Sequence, residues 1–317
     1  VRLDRATWVL ASVSAVWGAS YTVTGWGLRE LDVVTFNAIR FAAAAPLLLL
    51  LTLAVEGRPV IARRWWPRLA LSAAIGIVAY QLAFSAAVAL TTVTESAILI
   101  ALSPLWTALL ARLTGEPVRA AVLIGACVAM AGVILVVLGR GAGHSAPNRV
   151  LGDSAALAAS ALWGAYPVVT RPLLTDHSPL RVTAWASVIG AAILLLLPVA
   201  SAPAPPRELP RWSGTTVVSL AFSVLAVTIY GLVAWYWGVR RVGSAQTMVF
   251  MFAVPVAAAV FAVTAGAERI TWPQIAGAGL VLAALTYSQH DSKILDTGVG
   301  NDGNHDLDHA GTRDAHR

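Results

Sequence analysis

Through position 290 ionisable residues are scarce in this chain, and they gather in short gaps between apolar runs close to a membrane thickness in length. That spacing restricts the fold more than any motif does. A soluble domain usually carries about a quarter charged residues. Here Asp, Glu, Lys and Arg make up 12% and hydrophobic residues 58%. The body is poorer still in charge, because Asp291, Asp296, Asp302, Asp306, Asp308 and Asp314 lie beyond the last apolar run. A core can be this apolar, but a whole chain cannot be all core, so the outer surface is predicted to face lipid. In hydrocarbon the backbone must satisfy its own hydrogen bonds, which leaves helices or a closed barrel. Barrel strands would be about 9–11 residues long and alternate strictly. These runs are longer, rich in Leu, Ala, Val and Ile, and do not alternate. The expectation is an all-α polytopic membrane protein.

Ten spans are predicted, at 7–27, 34–54, 68–88, 93–111, 120–138, 152–170, 182–199, 213–237, 243–264 and 273–289. Arg2 and Arg5 ahead of the first run resemble the start of a signal peptide. The many spans that follow favour an uncleaved first span. With the N-terminus in the cytoplasm, the inner segments hold Arg58, Arg63, Arg64 and Arg68 and most of the other basic residues, while the outer segments hold Arg29, Arg140, Arg149, Arg207, Arg211 and Arg269. Basic residues concentrate in short cytoplasmic loops, so both termini are predicted to be cytoplasmic. Residues 291–317 are polar and lack the apolar content to fold alone, and are expected to form a disordered cytoplasmic tail.

Several function classes drop out. The net charge of +6 is spread over loops between spans and makes no basic stripe for nucleic acid. Cys127 is the sole cysteine, so no disulfide or cysteine metal site forms within one chain. The sequence holds no phosphate-cradling GxxxxGK[ST], no HExxH, and no catalytic cluster at a membrane face. No enzyme activity, cofactor or metal is expected.

The chain is written twice. Trp17-Gly18-Ala19 in the first span returns as Trp163-Gly164-Ala165 in the sixth, 146 residues on. Pro104 at the centre of the fourth span is echoed by Pro255 in the ninth, and Gly115-Glu116 by Ala267-Glu268. The predicted organisation is a first five-helix repeat at 1–139, an outer linker at 140–151, a second five-helix repeat at 152–290 and the tail. An odd number of spans per repeat places the second copy upside down relative to the first. That is the logic of carriers that alternate access about a central site.

The motifs Trp17-Gly18-Ala19-Ser20, Phe36-Asn37-Ala38-Ile39-Arg40-Phe41, Leu102-Ser103-Pro104-Leu105 and Leu113-Thr114-Gly115-Glu116-Pro117 carry a resemblance. So do their second-half echoes Trp163-Gly164-Ala165-Tyr166, Phe252-Ala253-Val254-Pro255 and Gly266-Ala267-Glu268-Arg269. In these, over about residues 7–289, the chain resembles the drug/metabolite transporter superfamily, and within it the EamA-like ten-helix exporters. The resemblance implies a pseudosymmetric bundle of ten transmembrane helices in the inner membrane. It also implies export or exchange of small metabolites, such as amino acids or drug-like molecules, through a central cavity. Arg40 has no partner in the second half, where the matching stretch reads Val182-Thr183-Ala184-Trp185-Ala186-Ser187.

Polar residues inside the spans are the candidate site, because lipid does not tolerate them without a reason. Arg40 and Glu95 both fall toward the outer side, where a pair between them is plausible. Either they brace a gate, or Arg40 recognises a substrate carboxylate and Glu95 exchanges a proton. Trp17 and Trp163 sit mid-span, away from the interface positions tryptophan favours, and are candidates for cavity lining or for packing beside Gly18 and Gly164. Tyr80, Gln81, Tyr230 and Gln246 complete the substrate-binding or gating candidates. Pro104 and Pro255 are hinge candidates, since proline frees a carbonyl one turn back; a static kink is the alternative. Gly125, Ala129 and Gly132, with Gly279 and Ala283, give small-residue faces for helix packing or a homodimer. The predicted function is secondary transport of a small organic molecule, with protons as a further partner. The alternative is a membrane scaffold or sensor that does not transport.

Overall fold

The structure, a computed structural model, describes residues 5–113, 124–125, 127–128, 130–132, 134–135, 147–201, 212–242 and 250–284. Among these residues all regular structure is helical. In chain order α1 is Arg5–Gly27, α2 Val33–Glu56 and α3 Arg63–Leu90. Then come α4 Val93–Ile100, α5 Ser103–Leu113, α6 Arg149–Thr170 and α7 Pro179–Ser201. The next helix, α8, runs through Gly214–Phe222, a π-helical stretch Ser223–Tyr230, and Gly231–Val242. Last are α9 Ala253–Thr264 and α10 Trp272–Ala284. Four helices are long and apolar enough to cross a membrane: Val33–Glu56, Arg63–Leu90, Pro179–Leu197 and Gly214–Trp235. The helices α1 and α6 reach spanning length but are diluted by Ser, Thr, Gly and Trp. Gln246, Glu116 and the tail lie outside the described residues.

Burial is inverted relative to a water-soluble protein. Leu50, Val55, Leu196, Val218, Leu225 and Val260 point outward and are more than half exposed. Asn37, Ser85, Glu95, Ser187 and Thr216 are fully buried. Soluble domains seldom bury such groups or show so much aliphatic surface. With lipid as the solvent the apolar exterior carries no penalty, and polar groups gain by turning inward to find partners. The chain is a multi-pass membrane protein.

Helix ends have local causes. Asp32 caps α2, accepting from Val34 N and Thr35 N at 2.9 and 3.0 Å. Thr92, Asn148 and Ser213 do the same for α4, α6 and α8. Gly57 and Gly266, at φ of 77° and 67°, close α2 and α9 in a backbone region other residues enter at a cost.

The fourth predicted span is not one continuous helix. It breaks at Ala101–Leu102, just ahead of Pro104. Proline has no N–H to offer the carbonyl of Ile100, and Ser160 Oγ on α6 reaches that carbonyl instead, at 3.4 Å. Ahead of Pro255, a 3-10 turn at Phe250–Phe252 precedes α9, and Ser14 Oγ on α1 donates to Phe250 O at 2.7 Å. The two serines are separated by the same 146 residues as Trp17 and Trp163.

Packing crosses the chain's two halves. Along its length α1 lies against α9, α6 lies against α5 and the Tyr80–Leu90 end of α3, and α2 lies against α7. Gly132 sits against α10, where an added Cβ would meet Gly277 O at 2.7 Å, so its small-residue face is used within the chain. Gly279 faces open space.

Glu268, in the turn after α9, caps α4 from across the bundle. Its carboxylate accepts from Val93 N, from Thr94 N at 3.1 Å and from Thr94 Oγ1 at 2.6 Å. A carboxylate is favoured at a helix N-terminus by the free N–H groups and the helix dipole. Glu268→Ala is expected to lower stability by about 0.5–2 kcal/mol, read as a lower melting temperature in detergent, with Glu268→Gln recovering part of the loss.

Candidate functional site

The interior between α2, α3 and α8 holds a buried cation. Arg40, on α2, is 4% exposed. Its Nε and Nη2 both donate to Thr228 Oγ1, at 3.2 and 3.0 Å, and Nη1 donates to Gln81 Oε1 at 3.1 Å. The guanidinium also lies 5.2 Å from the Phe41 ring centre. Thr228 is available because of the π-helical stretch. Its own hydroxyl donates to Ser223 O, five residues back, at 2.8 Å. That leaves the oxygen's lone pairs turned to Arg40. A π turn carries an extra residue and shifts the phase of every side chain after it, so Thr228 turns inward and Tyr230 outward.

One turn before Arg40, Asn37 is fully buried. Its Nδ2 donates to Ser85 Oγ at 2.8 Å and to Val33 O at 2.9 Å. Asn37 Oδ1 has no hydrogen-bond partner among the described residues, and neither has Ser223 Oγ. Together these give a polar interior of Asn37, Arg40, Gln81, Ser85, Ser223 and Thr228 inside an apolar bundle.

Aromatic rings flank it. Tyr80 lies 4.7 Å from Trp163, and Trp163 stacks on Tyr166 at 5.9 Å. Trp17 donates from Nε1 to Val227 O at 3.2 Å, within the π stretch of α8, and lies 5.2 Å from Trp235. Each repeated tryptophan therefore rests on the third helix of the other half: Trp17 on α8, Trp163 on α3. The two third helices carry matching π stretches, Ala74–Ala79 and Ser223–Tyr230. Trp235 is half-buried against Trp17.

Three sequence expectations need correction. The Arg40–Glu95 pair does not form: Arg40 bonds to Gln81 and Thr228, and no carboxylate pairs with it among the described residues. Glu95 is fully buried at the start of α4 and accepts from Thr91 Oγ1 at 2.7 Å. Outer position along a helix set both at a similar depth, but rotation about the helix axes turned them to different neighbours. Second, Glu95 is not the one buried acid among the described residues: Asp153 on α6 is another. It is 9% exposed and lies 2.8 Å from the same Thr91 hydroxyl. Third, Tyr230 is not beside Arg40; it is 41% exposed, with its hydroxyl 2.5 Å from Ser12 Oγ on the bundle's outer side.

Of the candidates, Arg40 and Gln81 come together, and Tyr80 meets Trp163. Trp17 occupies the matching place on α8. Pro255 is buried in α9. Thr228 and Asn37 were missed; a lone threonine or asparagine in an apolar run carries no signal in sequence. Ser14 and Ser160 had one, the shared 146-residue offset.

The family model described as the EamA-like transporter family matches residues 5–138 and 150–288. An "Uncharacterized transporter" of Archaeoglobus fulgidus is 26% identical over 285 residues, covering 89% of this chain and 97% of the relative. A protein of Streptantibioticus cattleyicolor named "Probable terminal-alkyne amino-acid exporter" is 27% identical over 271 residues, covering 83% of this chain and 86% of the relative. The "Uncharacterized transporter YyaM" of Bacillus subtilis is 25% identical and covers 88% and 92%. One solved crystal structure superposes with a TM-score of 0.65 at 22% identity, covering 92% of this chain and 98% of that one, which shows the fold alone.

Proposed function

We propose, from the premise that this chain belongs to the EamA-like transporter family, that it moves a small organic anion or zwitterion by alternating access about Arg40. Secondary transport of small molecules is its function, and it is not an enzyme. In the proposed topology ten spans form two inverted five-helix repeats, residues 1–139 and 152–290, in the plasma membrane, with both termini and the 291–317 tail in the cytoplasm. The reciprocal seating of Trp17 on α8 and Trp163 on α3 supports the inverted pairing. The observation that carries the site is the buried Arg40, held by a hydroxyl and an amide oxygen. A guanidinium has five N–H donors, and three contacts leave two for a substrate carboxylate. The amino-acid exporter among the relatives points to the same substrate class.

The test is metabolite release from cells expressing the wild type against a vector control, followed by uptake of the released compound into proteoliposomes. Passage of a carboxylate-bearing compound is expected. Intact protein that passes no label would instead favour a scaffold or sensor.

Proton coupling is proposed at Glu95 and Asp153, which share the Thr91 hydroxyl. Glu95→Gln is expected to leave exchange down a substrate gradient while removing the response to an imposed pH gradient. An unchanged response would rule Glu95 out as the coupling group.

A further inference from the structure

Two surface carboxylates occupy equivalent places at opposite ends of the bundle. Asp176 follows α6 and binds the start of α3. It accepts from Arg64 Nη2 at 2.5 Å and from Trp65 Nε1 at 2.9 Å. Glu30 follows α1 and binds the start of α8, accepting from Ser213 N at 3.0 Å. Glu30 and Asp176 are 146 residues apart, the offset that relates Trp17 to Trp163.

The correspondence continues one layer deeper. Beneath Asp176, Ser72 Oγ on α3 lies 2.9 Å from Thr170 Oγ1 on α6, and Arg68 Nε donates to Val169 O at 3.1 Å. Beneath Glu30, Ser219 Oγ on α8 donates to Val23 O on α1 at 2.6 Å. Val23 and Val169 are again 146 residues apart. In each case a first helix of one half is tied to the third helix of the other by an exposed carboxylate above and a buried serine below. On the first-helix side the tie points Glu30 and Asp176, and Val23 and Val169, share the 146-residue offset, and such paired ties are more than isolated surface ion pairs, which are worth little singly.

We propose that Glu30 and Asp176 are matched gate latches, each holding one membrane face shut and releasing when that face opens. The proposal rests on the alternating-access reading above. Asp176 closes the face assigned to the cytoplasm and Glu30 the opposite one. The latches are unequal. Asp176 takes an ion pair and an indole N–H, whereas Glu30 takes a neutral backbone N–H, and Glu268 is a second tie on its face. Both contacts work on the ionised carboxylate. The Trp65 indole and then Arg64 hold the Asp176 carboxyl below its ordinary range, and Ser213 does the same for Glu30. A lowered value in the latched form means latching is favoured above the ordinary carboxyl range and fades as pH falls through the lowered one. At neutral pH both latches are therefore set.

The experiment replaces Cys127 by serine and installs one reporter cysteine, Ser72→Cys or Ser219→Cys. Each is labelled with a membrane-impermeant maleimide in vesicles of each orientation. Asp176→Ala is expected to raise labelling at the Ser72 reporter by about two- to fivefold, the shift one exposed pair supports, and to lower it at the Ser219 reporter. Glu30→Ala is expected to do the reverse, by a smaller factor. Arg64→Ala, at a side chain 72% exposed and so harmless to folding, should reproduce Asp176→Ala. The exchange Arg64→Asp with Asp176→Arg should restore part of the wild-type labelling, because it remakes the ion pair but arginine cannot accept from the Trp65 indole. A rise confined to the local reporter, with no fall at the other, would overturn the proposal and reduce both contacts to local braces. Unchanged labelling in every variant would overturn it too, and wild-type transport measured in parallel would show whether the function itself still stands.

Discussion

Arg40→Ala is expected to reduce transport at least about tenfold without lowering stability, the factor following from the 1.5–3 kcal/mol typical of a hydrogen bond to a charged group. The two effects separate for a physical reason. Among the described residues no carboxylate neutralises Arg40, so its burial is a desolvation cost to the fold. Removing it relieves that cost. Thr228 keeps its own bond to Ser223 O, and Gln81 loses one partner. The melting temperature in detergent should hold or rise while substrate flux collapses. Arg40→Lys keeps the charge but not the planar fork that places Nε and Nη2 on one oxygen, and should transport poorly as well. Flux in Arg40→Ala equal to wild type, at matched membrane levels, would remove Arg40 from the site.

Gly18→Ala and Gly164→Ala are each expected to destabilise the bundle by about 1–3 kcal/mol, the usual range for overpacking. An added Cβ on Gly18 would stand 2.5 Å from Ala257 Cβ and 2.7 Å from Ala258 N. On Gly164 it would stand 2.6 Å from both Ser103 O and Trp106 Cβ. The opposing atoms are backbone or Cβ, which cannot swing aside as the end of a long side chain can. In lipid such close approach is what holds helices together, so the loss falls on the contacts that join the halves, α1 on α9 and α6 on α5. Gly279→Ala is the control. Nothing lies within 4 Å of its would-be Cβ, and alanine in a helix is favoured over glycine by about 0.5–1 kcal/mol. Thermal unfolding in one detergent should rank the three variants accordingly. Equal melting temperatures would mean that the close approach is absent in the membrane.

Glu30 and Asp176 show how much of the gating machinery was available to a reader of the sequence alone. Both lie at the offset that the Trp-Gly-Ala echo announces, as do Ser14 and Ser160. Carrying that offset past the obvious motifs would have found all four. Their partners are different in kind. Nothing in the run Thr-Ile-Tyr around Thr228 says which of its side chains turns inward, because every face of that helix is apolar and periodicity is blind there. The pairing of Arg40 with Glu95 failed for the same reason: depth along a helix is legible in sequence, rotation about its axis is not.

Sequence alone determined the solvent, the helical class, the doubling of the chain and the presence of a buried cation at Arg40. Each follows from composition or from repetition along one dimension, with charge too scarce to coat a water-facing surface. The tertiary structure decided which oxygen faces that cation. A π-helical stretch in α8 adds one residue to a turn, and that turn brings Thr228 to Arg40 and sends Tyr230 to the outside. Such a phase shift is set by packing against α1 and α2 and by hydrogen bonds that close only in the folded bundle, so it leaves no periodic trace in the chain.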